Sequence, residues 1–189
     1  MYYTPRLQKF TPLTPQQWSI AMWNRLAPPY ATDWVPMYKP LYDRIVDQAL
    51  LEFRSEKYPE VLDVAATAGQ PGLSILSRFP TATLVSTDNA AYNIQIGKSF
   101  ALKIGKGADE DAVFQWADVE ELQFDDSSFD LVVCSLGIMY VCDYETAISE
   151  LARVTRPGRP PFHKPCLSAS PGCSVEFVQG SFGVIKETH

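Results

Sequence analysis

The segment Val-Leu-Asp-Val-Ala-Ala-Thr-Ala-Gly-Gln-Pro-Gly, residues 61–72, constrains the fold more than any other part of the chain. Its first four residues are mostly apolar, as in a buried parallel strand, and a helix pattern begins at Gln70. A tight turn from a strand into a helix N-terminus can bind nucleotide-like ligands, because small side chains leave the backbone N–H groups accessible. The segment therefore predicts an α/β protein with a ligand site at the small residues of the turn: Ala65, Ala66, Thr67, Ala68 and Gly69.

The rest of the chain up to Gly158 alternates between strand-like and helix-like patterns. Asp143 is expected to cap the last helix, whose buried stripe would be Ala147, Leu151 and Val154. This order predicts an α/β fold with a doubly wound, mostly parallel sheet and helices on both faces. The predicted strands are residues 61–64, 83–87, 112–116 and 129–135, and the predicted helices are residues 71–79, 90–104 and 143–156.

Two helices are predicted ahead of the first strand. Residues 14–17, Thr-Pro-Gln-Gln, form a capping-box start for a helix that we expect to end at about Leu26, because Pro28 and Pro29 follow. A second helix over residues 37–53 would bury a stripe with spacings of four: Met37, Leu41, Ile45, Ala49 and Phe53. We therefore predict a helical cap (residues 1–56), an α/β core (residues 57–158) and a divergent tail (residues 159–189).

The tail breaks the alternation. Residues 159–173 are dense in Pro, Ser and Cys, and they do not suit a central strand because proline cannot donate to a sheet ladder. Strand-like pieces return at residues 175–178 and 182–185, so the tail is predicted either to form a hairpin or to be disordered. The sheet would then be incomplete at its C-terminal strands. The edge of the strand at residues 129–135 would be exposed, which favours a homodimer.

Charge and composition narrow the classes of partner. A net charge of −6 without any run of Lys or Arg argues against a nucleic-acid partner. No apolar stretch is long enough to span a bilayer, and the N-terminus lacks the apolar core of a signal peptide, so we expect a cytoplasmic protein. Reduced thiols and no metal site are expected, because no C-x-x-C pair occurs among the cysteines: Cys134, Cys142, Cys166 and Cys173.

Acidic residues follow two of the predicted strands. Asp88 comes directly after residues 83–87, and Asp118 follows residues 112–116. Because the carboxyl ends of parallel strands meet at one edge of a sheet, we expect both to converge with the small-residue turn on one crevice. A carboxylate at Asp88 can accept both hydroxyls of a ribose. The alternative for each acid is an ordinary helix cap or turn residue.

Residues 114–158 resemble the second half of class I S-adenosylmethionine-dependent methyltransferases, above all the type 11 group related to ubiquinone and menaquinone biosynthesis. The family motif D-x-x-x-L-P-F-x-D-x-S-F-D is matched by Asp118, Leu122, Phe124, Asp126, Ser128, Phe129 and Asp130. Its ending E-x-x-R-V-L-(K/R)-P-G-G is matched by Glu150, Arg153, Val154, Arg156, Pro157 and Gly158. Residues 61–72 and 83–90 are similar to the first two loops of the family, so the resemblance spans residues 18–158.

This resemblance implies S-adenosylmethionine as the cofactor and a small molecule as the methyl acceptor. The first turn would hold the methionyl part, with Asp63 bracing it or meeting the amino group through water. Asp88 and its neighbour Asn89 would bind the ribose. The adenine would contact Asp118 and the Val119 backbone. The positions of the three family glycines are taken by Ala65, Thr67 and Gly69.

The resemblance also implies where the acceptor meets the methyl group. Cys134 and Ser135, with Leu136, would line the path to the transferred methyl. Substrate-side candidates, for which core packing is the alternative, are Trp23, Tyr30, Trp34 and Tyr140. The catalytic residue itself is not identified. The histidines, His163 and His189, lie beyond the matched region, so a carboxylate, a tyrosine or the acidity of the substrate would serve as base.

Two departures from the family pattern bear on activity. Ala65 and Thr67 replace glycines, and if the backbone there has positive φ, a threonine costs about 1–3 kcal/mol. Arg159 replaces the second glycine of the family ending, and the usual continuation is absent. The leading hypothesis is a methyltransferase acting on a small molecule. The alternative is a truncated, weak or inactive relative that binds cofactor or a protein partner. A nicotinamide-dependent oxidoreductase is disfavoured because no G-x-G-x-x-G occurs.

Overall fold

The computed structural model describes residues 12–52, 59–106, 111–157, 173–178 and 181–186. The alternating order predicted from the sequence is confirmed. In chain order the main elements are α1 (Pro15–Pro29), α2 (Val35–Met37), α3 (Lys39–Glu52), β1 (Glu60–Val64), α4 (Gly72–Arg78), β2 (Thr83–Asp88), α5 (Ala91–Lys103), β3 (Ala112–Trp116), β4 (Leu131–Val133), α6 (Tyr144–Val154), β5 (Cys173–Val178) and β6 (Ser181–Lys186).

Strands β1 to β4 form one parallel sheet in the order β3-β2-β1-β4. Val61 at the centre of the sheet is in register with Leu84 on one side and Leu131 on the other. Order, direction and the intervening helices are those of a Rossmann-like sheet, as the sequence predicted. The carboxyl ends of β1, β2 and β3 therefore point to the same edge.

Helices cover both faces of this sheet. Along β1, Val61 belongs to a buried cluster with residues of α3, α4 and α5, whereas Leu62 and Val64 belong to a second cluster with residues of α6. This alternation follows from the period of two in a strand. The predicted stripe of α6 is confirmed, since Ala147, Leu151 and Val154 are all buried. Its predicted cap is also confirmed, because Asp143 Oδ1 accepts a hydrogen bond from the Thr146 N–H at 3.0 Å.

The prediction that the first helix ends near Leu26 is wrong. Pro28 and Pro29 lie inside α1, which leads directly into a π-helical turn, Tyr30–Trp34. Proline lacks an N–H and crowds the preceding turn of a helix. The chain accommodates both prolines at the end of α1, after which the Val35 N–H donates five residues back to the Tyr30 carbonyl. This wider turn brings Tyr30 to the cleft described below.

The helix predicted over residues 37–53 is divided in two. Met37 ends α2 and is 67% exposed, so its place in the buried stripe is wrong. Ile45 and Ala49 of α3 are buried as predicted. Phe53 lies outside the described residues. The break at Tyr38, where the chain leaves helical geometry, turns the apolar face of α3 onto the sheet without Met37.

The strand predicted over residues 129–135 is shorter in the structure. Only Leu131–Val133 pair with β1, and Phe129 instead forms an isolated parallel bridge with Thr155 after α6. Within the described part of the chain, β4 is an edge of the parallel sheet. The homodimer expected from such an edge, and the division into cap, core and tail, stay predictions.

The described residues of the tail form two strands, as the hairpin alternative expects. Strands β5 and β6 pair antiparallel as a separate two-stranded sheet, with Cys173 opposite Lys186 and Val178 opposite Ser181. The two strands run slightly longer than the predicted pieces. No helix that the structure describes is both long and apolar enough to cross a membrane.

Candidate functional site

An open cleft lies at the carboxyl ends of β1, β2 and β3. It contains about 720 Å³ of empty space, counting the part open to solvent. Helix α1 and the segment after β4 form its walls. The structure brings together in this cleft many of the residues predicted from sequence: Trp23, Tyr30, Ala65, Thr67, Asp88, Asn89, Asp118, Val119, Ser135 and Tyr140.

Four of the predicted residues do not line the cleft. Asp63 is buried beneath it, where its Oδ2 accepts a hydrogen bond from the Gly72 N–H at 2.7 Å. Gly69 packs against Leu73, so that an added Cβ would lie 2.9 Å from the Leu73 Cδ1. Cys134 is buried in the cluster beside α6. Trp34 is 49% exposed and stacks on the outer side of Tyr30, with ring centroids 6.0 Å apart.

The turn after β1 has the backbone conformation that glycine favours. Ala65, Thr67 and Gly69 have φ angles of 54°, 51° and 79°. For Ala65 and Thr67 this left-handed conformation costs about 1–3 kcal/mol each, so the condition attached to these replacements in the sequence is met. The turn is held by backbone hydrogen bonds, among them Ala66 N–H to the Thr87 carbonyl at 3.0 Å. The surrounding structure therefore imposes the strained conformation.

The segment after β4 packs directly on this turn. Leu136 also has positive φ, at 62°, and Gly137 follows it. A Cβ added at Gly137 would lie 2.5 Å from the Ala65 Cβ and 3.0 Å from the Cys134 Sγ. The methyl group of Ala65 therefore fits only because residue 137 has no side chain.

Asp88 is bound by the protein on both carboxylate oxygens. Oδ2 accepts from the Thr67 N–H at 2.9 Å, and Oδ1 accepts from the Ala90 N–H at 2.8 Å. The side chain of Asn93 and the Asn89 backbone also donate to it. Burial raises the pKa of Asp88, and these hydrogen bonds partly oppose the rise. The carboxylate thus ties the turn after β1 to the start of α5.

Asp118 contacts a residue that sequence reasoning missed. Its Oδ1 accepts from the Glu120 N–H at 3.0 Å, and its Oδ2 accepts from the Gln16 side-chain amide in the first turn of α1. Gln16 and Ser19 line the cleft. In the sequence they are ordinary helix-surface residues, and no local signal relates Gln16 to an aspartate about a hundred positions away.

The family motifs around Asp118 have a structural basis. Glu150 Oε2 accepts from the Leu122 N–H at 2.8 Å, and Arg153 donates to the Leu122 carbonyl at 2.9 Å and the Phe124 carbonyl at 2.7 Å. The hydrogen bonds from Arg153 hold the pKa of Glu150 below its usual value. The E-x-x-R pair on α6 therefore fixes the segment that follows Asp118.

Two residues that line the cleft carry a buried, unpaired polar atom. Among the described residues, the buried side-chain oxygens with no hydrogen-bond partner are Asp63 Oδ1, Asn93 Oδ1 and Ser135 Oγ. Asn93 and Ser135 both line the cleft. An unpaired buried acceptor costs about 1–3 kcal/mol, which a donor on a bound ligand would recover. Asn93 was also missed, because its position reads as the first turn of a helix.

Aromatic rings form part of the lining of the cleft. Trp23 meets Tyr30 and Tyr140 edge to face, with ring centroids 5.5 Å and 4.8 Å apart. Tyr30 hydrogen-bonds Tyr42, which is buried beneath it. Edge-to-face rings of this kind present both apolar surface and hydroxyl groups to a ligand.

The buried Asp63 carboxyl differs electrostatically from the other acids. Burial raises its pKa to about 8, the charge of Asp88 adds to the rise, and the hydrogen bond from Gly72 opposes it. Asp63 is therefore largely protonated at neutral pH. Within the described chain no group of three or more His, Cys, Asp or Glu side chains is arranged to hold a metal ion.

Comparison with curated proteins finds relatives that are longer than this chain. An uncharacterized protein of Mycobacterium tuberculosis is 36% identical over 98 residues, which are 52% of this chain and 34% of the relative. A demethylmenaquinone methyltransferase of Thermus thermophilus is 36% identical over 116 residues, 61% of this chain and 49% of the relative. The chain thus spans between a third and a half of the length of these relatives.

Solved structures agree with the fold. The YcgJ protein of Bacillus subtilis is 27% identical, with a TM-score of 0.52 over 60% of this chain and 47% of that one. A geranyl diphosphate methyltransferase in complex with GPP and sinefungin, 16% identical, has a TM-score of 0.56 over 64% of this chain and 42% of that one.

The family model described as "Methyltransferase domain" matches residues 62–159, just over half of the 189 residues. The match begins within β1 and contains the strained turn, Asp88, Asp118 and the E-x-x-R pair of α6. Together with the sheet order and the cleft, it identifies this chain as a member of the methyltransferase-domain family of class I S-adenosylmethionine-dependent methyltransferases.

Proposed function

We propose that this protein binds S-adenosylmethionine in the cleft and transfers its methyl group to a small-molecule acceptor. The observation that carries the proposal is the convergence of the strained turn, Asp88 and Asp118 on one cleft that also contains two unpaired acceptors, Asn93 Oδ1 and Ser135 Oγ. Such a cleft suits a ligand with several hydroxyl and amino donors. The cofactor has donors of this kind on its ribose, its adenine and its methionyl group.

The residues present fit the cofactor in order along the sheet edge. The turn containing Ala65 and Thr67 would hold the methionyl part, the end of β2 would hold the ribose, and Asp118 with Val119 would hold the adenine. Bound there, S-adenosylmethionine supplies a methyl group already activated by a sulfonium. The protein then has to orient the two reactants and exclude water rather than provide covalent chemistry.

The aromatic wall supports a planar, largely apolar acceptor. Trp23, Tyr30 and Tyr140 present ring surface to the cleft, and tyrosine hydroxyls can bind polar atoms at the rim of such a molecule. The Thermus relative is named for demethylmenaquinone, which supports a quinone-like ring as the acceptor. No histidine lines the cleft among the described residues, so a wall tyrosine or the acidity of the acceptor itself would manage the proton.

One observation favours a second candidate, a weakly active or inactive relative that binds cofactor or a protein partner. The side-chain amide of Gln16 already occupies Asp118, the acid assigned to the adenine. The adenine would have to share this carboxylate with Gln16 or displace it. Strain at Ala65 and Thr67 adds to the case, since both hold a glycine-type conformation.

Calorimetric titration of the full chain with S-adenosylhomocysteine tests the proposal. We expect saturable heat with one site per chain, and circular dichroism on the same sample establishes that the protein is folded. A folded protein that releases no heat at millimolar ligand would contradict cofactor binding. Binding without transfer of a labelled methyl group to demethylmenaquinone analogues would favour the second candidate.

A further inference from the structure

We propose that Asn93 recognises the sugar of the cofactor, with its side-chain oxygen accepting a hydrogen bond from a ribose hydroxyl. The inference rests on the proposed function and adds Asn93 to the ribose-binding residues that the resemblance implies, Asp88 and Asn89. Asn93 lies in the first turn of α5, is 2% exposed and lines the cleft.

The orientation of the Asn93 amide follows from its neighbour. The Asn93 side chain hydrogen-bonds the Asp88 carboxylate. This hydrogen bond lowers the pKa of Asp88, which is the effect of a donor, so the amide presents its NH₂ group to Asp88 and its oxygen elsewhere. That oxygen is buried and has no partner in the described structure. Asn93 therefore offers an acceptor, and not a donor, to a ligand in the cleft.

Asp88 has little capacity left for a ligand. A carboxylate has about four acceptor positions. Four protein donors already interact with Asp88: the backbone N–H groups of Thr67, Asn89 and Ala90 and the side chain of Asn93. A ribose diol brings two donors. At least one of them needs an acceptor other than Asp88, and Asn93 Oδ1 is the unpaired one beside it.

Position favours the sugar over the base as the donor. Asn93 is bound to Asp88 at the end of β2, whereas the acid assigned to the adenine, Asp118, follows β3. The adenine amino group is nevertheless the other donor in the cofactor that could satisfy the same acceptor. The experiment therefore needs separate arms for the sugar and for the base.

A double-mutant cycle between protein and ligand tests the inference. Wild type and Asn93→Ala are titrated with S-adenosylhomocysteine, with its 2′-deoxy and 3′-deoxy analogues, and with S-inosylhomocysteine, in which the amino group is replaced. We expect removal of one ribose hydroxyl to weaken binding to wild type about tenfold. The same removal should weaken binding to Asn93→Ala less than twofold.

Two further variants keep the result interpretable. Asn24→Ala is the matched control, because Asn24 Oδ1 accepts from the Tyr92 N–H at 3.0 Å and does not line the cleft. Removal of a ribose hydroxyl should weaken binding to Asn24→Ala by the same factor as binding to wild type. If Asn93→Ala does not fold, Asn93→Leu, which retains most of the side-chain volume, takes its place.

The outcomes separate this inference from the proposed function. Wild type that binds no S-adenosylhomocysteine overturns both. Wild type and Asn93→Ala that lose equal affinity on removal of each hydroxyl overturn the role of Asn93 and leave cofactor binding intact. If Asn93→Ala reduces the affinity loss seen with S-inosylhomocysteine and not the loss seen with the deoxy analogues, the assignment to the sugar is overturned.

Discussion

The two sides of the cleft are held in different ways. On the sheet side, backbone N–H groups of the turn after β1 donate to the end of β2, Thr67 N–H to the buried Asp88 carboxylate and Ala66 N–H to the Thr87 carbonyl. On the other side, α1 reaches the cleft through side chains, such as Gln16 on Asp118 and Trp23 against Tyr140. Side-chain contacts are exchanged more easily than buried backbone hydrogen bonds, so we expect α1, the movable wall, to adjust to a ligand more than the turn after β1, the floor of the cleft.

The largest expected effect concerns the pH dependence of stability that comes from Asp63, which is buried beneath the turn after β1. Between pH 4 and 8, Asp63 is protonated in the folded protein, where its pKa is about 8, but ionised in the unfolded chain, whose pKa is near 3.8. The folded state then binds more protons, so its stability falls as the pH rises. The slope from this one group is at most about 1.4 kcal/mol per pH unit.

Asp63→Asn should remove this slope, because an amide oxygen can still accept from the Gly72 N–H but cannot ionise. Urea unfolding of both proteins at pH 5, 6, 7 and 8 measures it. The wild type should lose stability relative to the variant with each step. Parallel curves for the two proteins would show that Asp63 is ionised in the folded state.

The second effect tests how tightly the floor is packed. Gly137→Ala places a methyl group 2.5 Å from the Ala65 Cβ, and such overpacking costs about 1–3 kcal/mol in unfolding free energy. Ala65→Gly in the same chain should restore most of the loss. Gly105→Ala is the comparison for backbone strain without overpacking: its φ is 72°, nothing lies within 4 Å of its added Cβ, and Ala65→Gly should not restore its loss. A double variant as unstable as Gly137→Ala would contradict the contact.

The third effect tests the movable wall. Gln16→Ala frees Asp118, so we expect S-adenosylhomocysteine to bind about two- to fivefold more tightly, equivalent to less than 1 kcal/mol. Gln17→Ala is the matched control, because Gln17 belongs to the same helical turn and takes part only in the capping box. Weaker binding by Gln16→Ala would mean that Gln16 supports the ligand instead of competing with it.

The smallest effect concerns strain in the floor. Thr67→Gly relieves a φ of 51°, which gains about 1–2 kcal/mol, but glycine also makes the unfolded chain more flexible at a cost of about 0.5–1 kcal/mol. We therefore expect a net gain of up to about 1 kcal/mol in chemical denaturation. A loss of stability would show that the hydroxyl and methyl groups of Thr67 contribute more than the strain removes.

Local sequence patterns predicted secondary structure correctly wherever the residues of one segment are sufficient to specify it. The strand at Ala112–Trp116 was predicted with the observed bounds, and the cap and stripe of α6 were correct. Prediction of helix ends and burial failed where the outcome depends on the conformation of the adjacent segment. The two prolines after Leu26 read as a stop, yet the π-helical turn after them keeps the chain helical. Met37 had the correct spacing for a buried stripe, but the break at Tyr38 leaves it exposed.

The alternating α/β order, the small-residue turn Ala-Ala-Thr-Ala-Gly after β1 and the acids that follow or end β2 and β3 could be read from the sequence, because hydrophobic period and small residues act locally. The hydrogen-bond partners of those acids became visible only in the folded molecule. Asp88 is occupied by donors from the turn and from α5, and Asp118 by Gln16 of α1. Hydrogen bonds between distant segments depend on how the helices pack on the sheet, and a linear pattern does not encode which oxygen remains unpaired.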